Sequence, residues 1–290
     1  MGASENAERD KVRRRNGIVQ WFRNIRNERP ELIWSPVLFV LVVLVWEWGV
    51  LILRIPYYIL PPPSKIAAAL YNGLAERPTS MSGYYIHAAY TLWESFVGFV
   101  IGSIAGIILG TLVAQNQFVE RTLLPYIVAF QALPKIAVAP LFLVWLGFGM
   151  TSKILMVVLL TFFPLLINSL AGFKSVPKNR IDMARSLCAT DWQIFRYVKF
   201  PSALPFIFAG LDMAAVFSVI GAIVGEFVGA QAGMGLMIMQ MQTQMDIPGV
   251  FSALVVLSLM GVALHLMMEG VRRKVIFWQI EEEETRGDEE

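Results

Sequence analysis

The sequence predicts an all-α integral membrane protein with six transmembrane helices and both termini on the cytoplasmic side. Three observations carry that expectation: apolar stretches long enough to span a bilayer, a shortage of charge, and basic residues gathered in alternate loops. Of 290 residues, 56% are hydrophobic and 16% charged, against roughly 45–50% and about 25% in soluble proteins. Six segments suit a hydrocarbon layer about 30 Å thick: 33–53, 90–114, 122–146, 154–173, 206–228 and 250–269. This composition argues against a two-domain soluble enzyme, a disordered chain or a collagen-like repeat. The single cysteine, Cys188, excludes an intrachain disulfide.

The three expected regions are a basic arm over 1–31, a six-helix transmembrane domain over 32–270 with a long interior loop at 174–205, and an acidic tail over 271–290. Eight Lys and Arg precede the first span, one lies between spans two and three, six between four and five, and four follow span six. The opposite side receives only Arg54, Lys65, Arg77 and Lys153. The positive-inside rule therefore places both termini in the cytoplasm. No small-residue cleavage site follows the first apolar run, so that segment reads as a retained signal anchor. In the arm, Ile18, Trp21, Phe22 and Ile25 recur at helical spacing opposite Arg23 and Arg26, the pattern of a helix lying in the headgroup layer; a solvated basic tail is the other reading.

The exterior loop 54–89 opens with Pro61, Pro62 and Pro63, after which Ser64 is placed to cap a short helix through Leu74. Spans two and five carry glycines at intervals of four: Gly98, Gly102, Gly106 and Gly110 in one, Gly221, Gly225, Gly229 and Gly233 in the other. Such ridges let backbones approach closely in lipid, so they read as packing surfaces. Met234, Met237, Met239, Met241 and Met245 precede span six without neighbouring His or Cys, which suits adaptable packing better than a metal track. No metal site and no cofactor are expected.

The interior loop reads as two short helices joined by a turn at 188–190. Ser175 and Pro177 suit the start of the first. Thr190 with Gln193 three residues on is a capping-box pattern that starts the second, and Pro201 is expected to stop it. A protruding helix-turn-helix is shaped to be gripped by another protein. Its contact residues would be Asp182, Met183, Ala184, Arg185, Cys188, Ala189 and Thr190, with small Ala184 permitting close approach between two charges.

At these residues the chain resembles the inner-membrane permeases of binding-protein-dependent ABC importers. Their loop carries Glu-Ala-Ala, three residues, Gly, nine residues, Ile, one residue, Leu-Pro; here the same spacing holds Asp182-Met183-Ala184, Cys188, Val198 and Phe200-Pro201. Leu133-Pro134-Lys135-Ile136-Ala137, Trp145-Leu146-Gly147-Phe148-Gly149, Gly225-Glu226-Phe227 and Leu60-Pro61-Pro62-Pro63-Ser64 are similar to the branch handling nitrate, sulfonates and taurine. The resemblance covers about residues 55–275. It implies a type I importer permease, one of two copies in a homodimer in the inner membrane. Its partners would be cytoplasmic ATP-binding subunits, which the loop residues named above would touch, and an external solute-binding protein. The imported solute would be a small anion such as a sulfonate, nitrate, taurine or a related organic compound. Cys188 departs from the family glycine; if the backbone there is left-handed, the side chain costs about 1 kcal/mol.

No Gly-Lys pair occurs, so there is no phosphate-binding loop with its lysine, and ATP must be hydrolysed elsewhere. His87 and His265 stand far apart, and neither a zinc motif nor a nucleophile elbow is present, so an enzyme is not expected. Intramembrane polar residues remain: Glu47, Glu94, Gln131, Lys135, Asn168, Asp212, Glu226 and His265. Of these, Gln131, Lys135, Asn168 and Glu226 are candidates for the translocation path. Lys135 lies mid-span between Pro134 and Pro140, where a broken helix borders a cavity or, alternatively, where a lysine is held in a buried pair with a carboxylate. The competing function is an ion-gradient-driven transporter or channel working through Glu226, Asp212 and Glu94; it would have no use for the protruding loop.

Overall fold

The structure, a computed structural model, describes residues 31–278 except Ser82. The interfacial helix expected in the basic arm and the acidic stretch 281–290 lie outside the described residues. All regular structure among the described residues is helical: α1 Glu31–Ile52, α2 Pro63–Ala75, α3 Tyr84–Gln115, α4 Gln117–Ala132, α5 Ala139–Leu146, α6 Met150–Lys174, α7 Lys178–Ser186, α8 Asp191–Gly229, α9 Met234–Thr243 and α10 Ile247–Val275, with a 3₁₀ turn at Lys135–Val138 leading into α5. Five helices are long and apolar enough to cross a membrane, and α4 with the segment 135–146 passes the same test as a bent pair, which makes six if the pair is one broken span and five if it is a re-entrant loop. The chain forms two compact units, residues 1–68 and 69–290.

In the first unit, α1 is an apolar rod whose large side chains, Trp34, Phe39 and Val45 among them, are exposed. Glu47 breaks the apolar run for a local reason. Its carboxylate accepts the Ser64 N–H at 3.0 Å and the Ser64 hydroxyl at 2.8 Å. Ser64 therefore does not cap α2 as expected. The helix starts two residues before the expected first turn, at Pro63, and Glu47 supplies the acceptor that its free N-terminal N–H requires.

The second unit is built on α6, with α3 on one side and α8 on the other. Both glycine ridges face it. A Cβ on Gly106 would come 2.6 Å from the Phe162 carbonyl, one on Gly110 2.6 Å from that of Leu166, and one on Gly221 2.9 Å from the Val157 Cα. Only hydrogen fits at these crossings, which is why the spacing of four was legible as packing. The second ridge ends with its helix: Gly229 faces Leu143 and Phe148, and Gly233 lies beyond α8 with φ +135°. Of the methionines, Met234 and Met237 are buried in a core with Tyr84, Ile238, Leu257 and Met260, whereas Met239 and Met245 are exposed. Met234 and Met237 thus serve packing as expected, with Met241 packed against the same core, while the two exposed methionines do not.

Proline chemistry explains two helix boundaries, one a break anticipated at Pro134 and the other a stop expected at Pro201 that does not form. The third span is not straight: α4 and the segment 135–146 meet at 80°. Leu133, forced out of the helical region by the ring of Pro134, sits at φ −63° and ψ 139°. Pro201, by contrast, does not stop its helix, which runs unbroken from Asp191 to Gly229. A π-turn at Phe195–Lys199 precedes it, with the Phe200 N–H reaching the Phe195 carbonyl. The wider turn absorbs the proline that a regular α-turn would exclude. The start of the loop also differs. Ser175 belongs to the end of α6, donating its hydroxyl to the Gly172 carbonyl at 2.8 Å, and α7 begins after Pro177 with no side-chain cap.

Candidate functional site

The bend at Leu133-Pro134 opens a cavity of about 550 Å³ against α6 and α8. Gln131, Lys135 and Asn168, three of the four residues assigned to a path from sequence, line it together. The walls are otherwise apolar, with Phe163 and Phe217 the aromatic members. Lys135 donates to the Gln131 carbonyl at 3.1 Å, and its Nζ lies 4.9 Å from the centroid of the Phe163 ring. No carboxylate lies within 4.0 Å of it among the described residues, so the expected alternative of a buried ion pair is not formed here. Asp212, one carboxylate that could have served such a pair, instead faces His265 at 3.8 Å.

Glu226 is elsewhere. It is 1% exposed, accepts the Thr91 hydroxyl at 2.6 Å and the Gly235 N–H at 2.5 Å, and touches the space a side chain at Gly233 would need. The surrounding contacts extend this cluster: the Thr91 oxygen accepts the Met234 N–H at 2.9 Å, and His87 accepts the Gly233 N–H at 3.0 Å through Nδ1 while Nε2 donates to the Met81 carbonyl. Glu226 thus ties the 230–235 turn to α3 and α8, and does not border the Lys135 cavity.

A buried pair missed in the sequence stands beside it. Lys153 of α6 is 4% exposed and pairs with Glu94 of α3, which is wholly enclosed. The signal was present, because a lone Glu deep in one span needs a cation and Lys153 opens another. Counting Lys153 with the exterior loop hid it. Gly225 lets the α8 backbone close over this lysine: a Cβ there would approach the Lys153 Cα to 3.0 Å.

The loop 174–205 forms a compact knuckle. α7 ends in a paired turn, with the Ala189 N–H on the Ala184 carbonyl at 3.1 Å and the Cys188 N–H on that of Arg185 at 2.9 Å. Cys188 occupies the left-handed position at φ 57°, the conformation that favours glycine. Its side chain is exposed, so it does not pack into the turn. Thr190 and Gln193 form the expected capping box, with Thr190 N–H to Gln193 Oε1 at 2.8 Å and Gln193 N–H to Thr190 Oγ1 at 3.3 Å. Asp182 and Arg185 are exposed and Ala189 half-buried, while Ala184 is 9% exposed. The apolar surface of the knuckle comes from Met183, Leu187, Trp192 and Tyr197, all largely exposed; the last three were not assigned to it from sequence. Below it, the Phe195 ring stacks between Trp192 and Phe173 at 5.6 Å from each, which joins the knuckle to α6.

Glycine-packed helices, a bent span bordering a cavity, and a knuckle with exposed apolar side chains define a multi-span transport permease. Residues 100–277 match the family described as the binding-protein-dependent transport system inner membrane component, and the chain belongs to that family. It is a multi-pass inner-membrane protein and the permease subunit of an ABC importer. It is 36% identical over 244 residues to a riboflavin transport system permease protein of Chloroflexus aurantiacus, covering 84% of this chain and 89% of that one. A formylaminopyrimidine transport permease protein of Halalkalibacterium halodurans is also 36% identical, over 84% of this chain and 96% of its own. The taurine transport system permease protein of Escherichia coli is 29% identical over 83% and 87% respectively. In fold the chain is similar to the inward-facing MetNI methionine ABC transporter, with a TM-score of 0.56 and 21% identity over 65% of this chain and 94% of that chain. The relatives are transport permeases and not enzymes.

Proposed function

We propose that the chain imports a small anionic organic solute as one of two identical permease copies, with both termini cytoplasmic, two ATP-binding subunits on the knuckle and a solute-binding protein at the opposite face. The knuckle carries this reading. Its fold is fixed internally by the capping box and the paired turn, so Met183, Leu187, Trp192 and Tyr197 are free to fill a partner's groove. Apolar side chains presented on a rigid protrusion suit a protein partner better than water. Because Ala184 is buried, contact falls to its neighbours, and Asp182, Arg185, Cys188, Ala189 and Thr190 set the shape and register around them. ATP-driven closure of the partner subunits would turn the knuckle, and the continuous helix 191–229 would carry that motion to the wall of the Lys135 cavity. Gln131, Lys135 and Asn168 are the proposed path residues. The relatives' names give riboflavin, formylaminopyrimidine and taurine, all organic solutes.

A gradient-driven mechanism would need mobile carboxylates, but Glu94 is held by Lys153, Glu226 by Thr91 and Gly235, and Asp212 faces His265 at 3.8 Å. The reading is tested by placing Asp at Met183 and Leu187 in the assembled complex. The variant should insert and fold normally yet lose solute-stimulated ATP hydrolysis and uptake. Retained coupling, or concentrative uptake by the permease alone under a proton or sodium gradient, would overturn it.

A further inference from the structure

We infer that the Lys135 cavity is a substrate-selecting subsite within the membrane, built for a flat heteroaromatic ring carrying both N–H and acceptor groups at its edge. The inference rests on reading this cavity as part of the solute path and adds a ligand class to it.

The polar groups come first. Lys135 uses one of three N–H donors on the Gln131 carbonyl, and the Asn168 Nδ2 uses one of two on the Pro164 carbonyl at 2.9 Å. The remaining lysine donors, one amide N–H and the Asn168 Oδ1 take no partner among the described residues. Gln131 lines the same cavity and makes no side-chain hydrogen bond among the described residues, so its amide adds a further acceptor and further donors. The wall therefore holds unspent donors and unspent acceptors side by side. An acceptor-only anion such as nitrate or an alkyl sulfonate would meet the lysine and leave the acceptors unserved, whereas the edge of a pyrimidine-like or larger ring offers C=O and N–H in alternation.

The apolar surface points the same way. Phe163, Phe217 and Met213 supply ring faces and a thioether, and a volume of about 550 Å³ lies in the range of cavities that enclose ring-sized ligands. A compact, strongly hydrated anion would exchange water for these walls at a loss. A flat ring would stack on them, and displacing Lys135 from the Phe163 face would turn its ammonium toward an acidic or carbonyl edge.

The test uses the full permease–ATPase complex in lipid nanodiscs without the solute-binding protein. Orotate and riboflavin serve as flat probes, methanesulfonate and ethanesulfonate as small sulfonates that carry acceptors only. At least one flat probe should bind saturably below about 1 mM and at least about tenfold more tightly than either sulfonate. Phe217→Ala and Asn168→Leu should each weaken that binding at least about threefold with the melting temperature unchanged. Equal binding of all four probes, no saturable binding of either flat probe, or indifference to both substitutions would overturn the inference. Uptake by Lys135→Met separates the two levels: lost uptake with no preference for flat probes leaves the path standing and removes the subsite, whereas wild-type uptake removes the path itself.

Discussion

Lys135 and Lys153 both enter apolar helices of the same bundle, and the fold treats them in opposite ways. Lys153 is enclosed, paired with Glu94 and covered by the backbone at Gly225. Lys135 is half-buried at the edge of a cavity, with a carbonyl and an aromatic face for company. A cation in a membrane interior is costly, so each position must answer for its charge. Lys153 does so through a counter-ion and therefore joins the packing. Lys135 does so through the opening made by the bend at Leu133-Pro134, and a charge that faces an opening is available to a solute. A lysine completed by protein contacts holds helices together, while one left incomplete can act on what passes.

The largest effect should come from breaking the completed pair. Lys153→Met strands the Glu94 carboxylate inside the protein, at a cost of about 3–5 kcal/mol, and should lower the yield and melting temperature of the detergent-solubilised chain sharply. Adding Glu94→Gln removes the stranded charge and should restore most of the loss. A single variant as stable as wild type would mean that the pair is not what secures α3 to α6.

Next in size is Gly233→Ala. Gly233 has φ +135°, and a Cβ there would run into the Glu226 carboxylate. Backbone strain alone costs about 1–3 kcal/mol, and the loss of melting temperature should be accompanied by faster amide exchange at Met234 and Gly235. Unchanged exchange at those amides would show that Glu226 does not hold the turn.

The incomplete lysine should respond in the other currency, transport. Lys135→Met keeps the apolar stem and leaves no carboxylate behind, so stability should stay within about 0.5 kcal/mol of wild type. Uptake should fall by about tenfold, the equivalent of one lost charge-assisted contact with the solute. A melting temperature that drops as far as that of Lys153→Met would erase the distinction between the two sites.

The same contrast marks how much was legible in the sequence. Features set by local spacing were: the apolar segments, the glycine ridges, the Thr190 capping box and a break at Pro134 all follow from residues within a turn or two of each other. Gln131 and Lys135 meet for that reason, since a proline-interrupted span marks its own cavity, whereas Asn168 joins them from α6 only through the packing of distant helices. What stayed hidden depends on contacts between distant helices. Glu226 and Lys153 differ little from Lys135 as letters, and only the approach of α3, α6 and α8 decides which are closed off. The helix through Pro201 was hidden differently, because a π-turn that accommodates a proline leaves no mark that separates it from a helix stop.

The smallest effect concerns the knuckle, where the cost sits in the backbone. Cys188 holds φ 57° without glycine's freedom, while the N–H groups of Cys188 and Ala189 close the end of α7. Cys188→Gly should relieve about 1 kcal/mol of local strain. Cys188 is exposed, so replacing it leaves no cavity. The gain belongs to a surface turn that opens without unfolding the bundle, so the melting temperature should barely move and the measurement must be local. Hydrogen exchange at Ala189 should slow by about fivefold, the factor that 1 kcal/mol implies. Should exchange be unchanged, the left-handed turn is not strained by its cysteine. Should it slow while uptake falls, some looseness in the knuckle is itself needed for coupling, and the rigid protrusion described above would have to give way to one that flexes with each cycle.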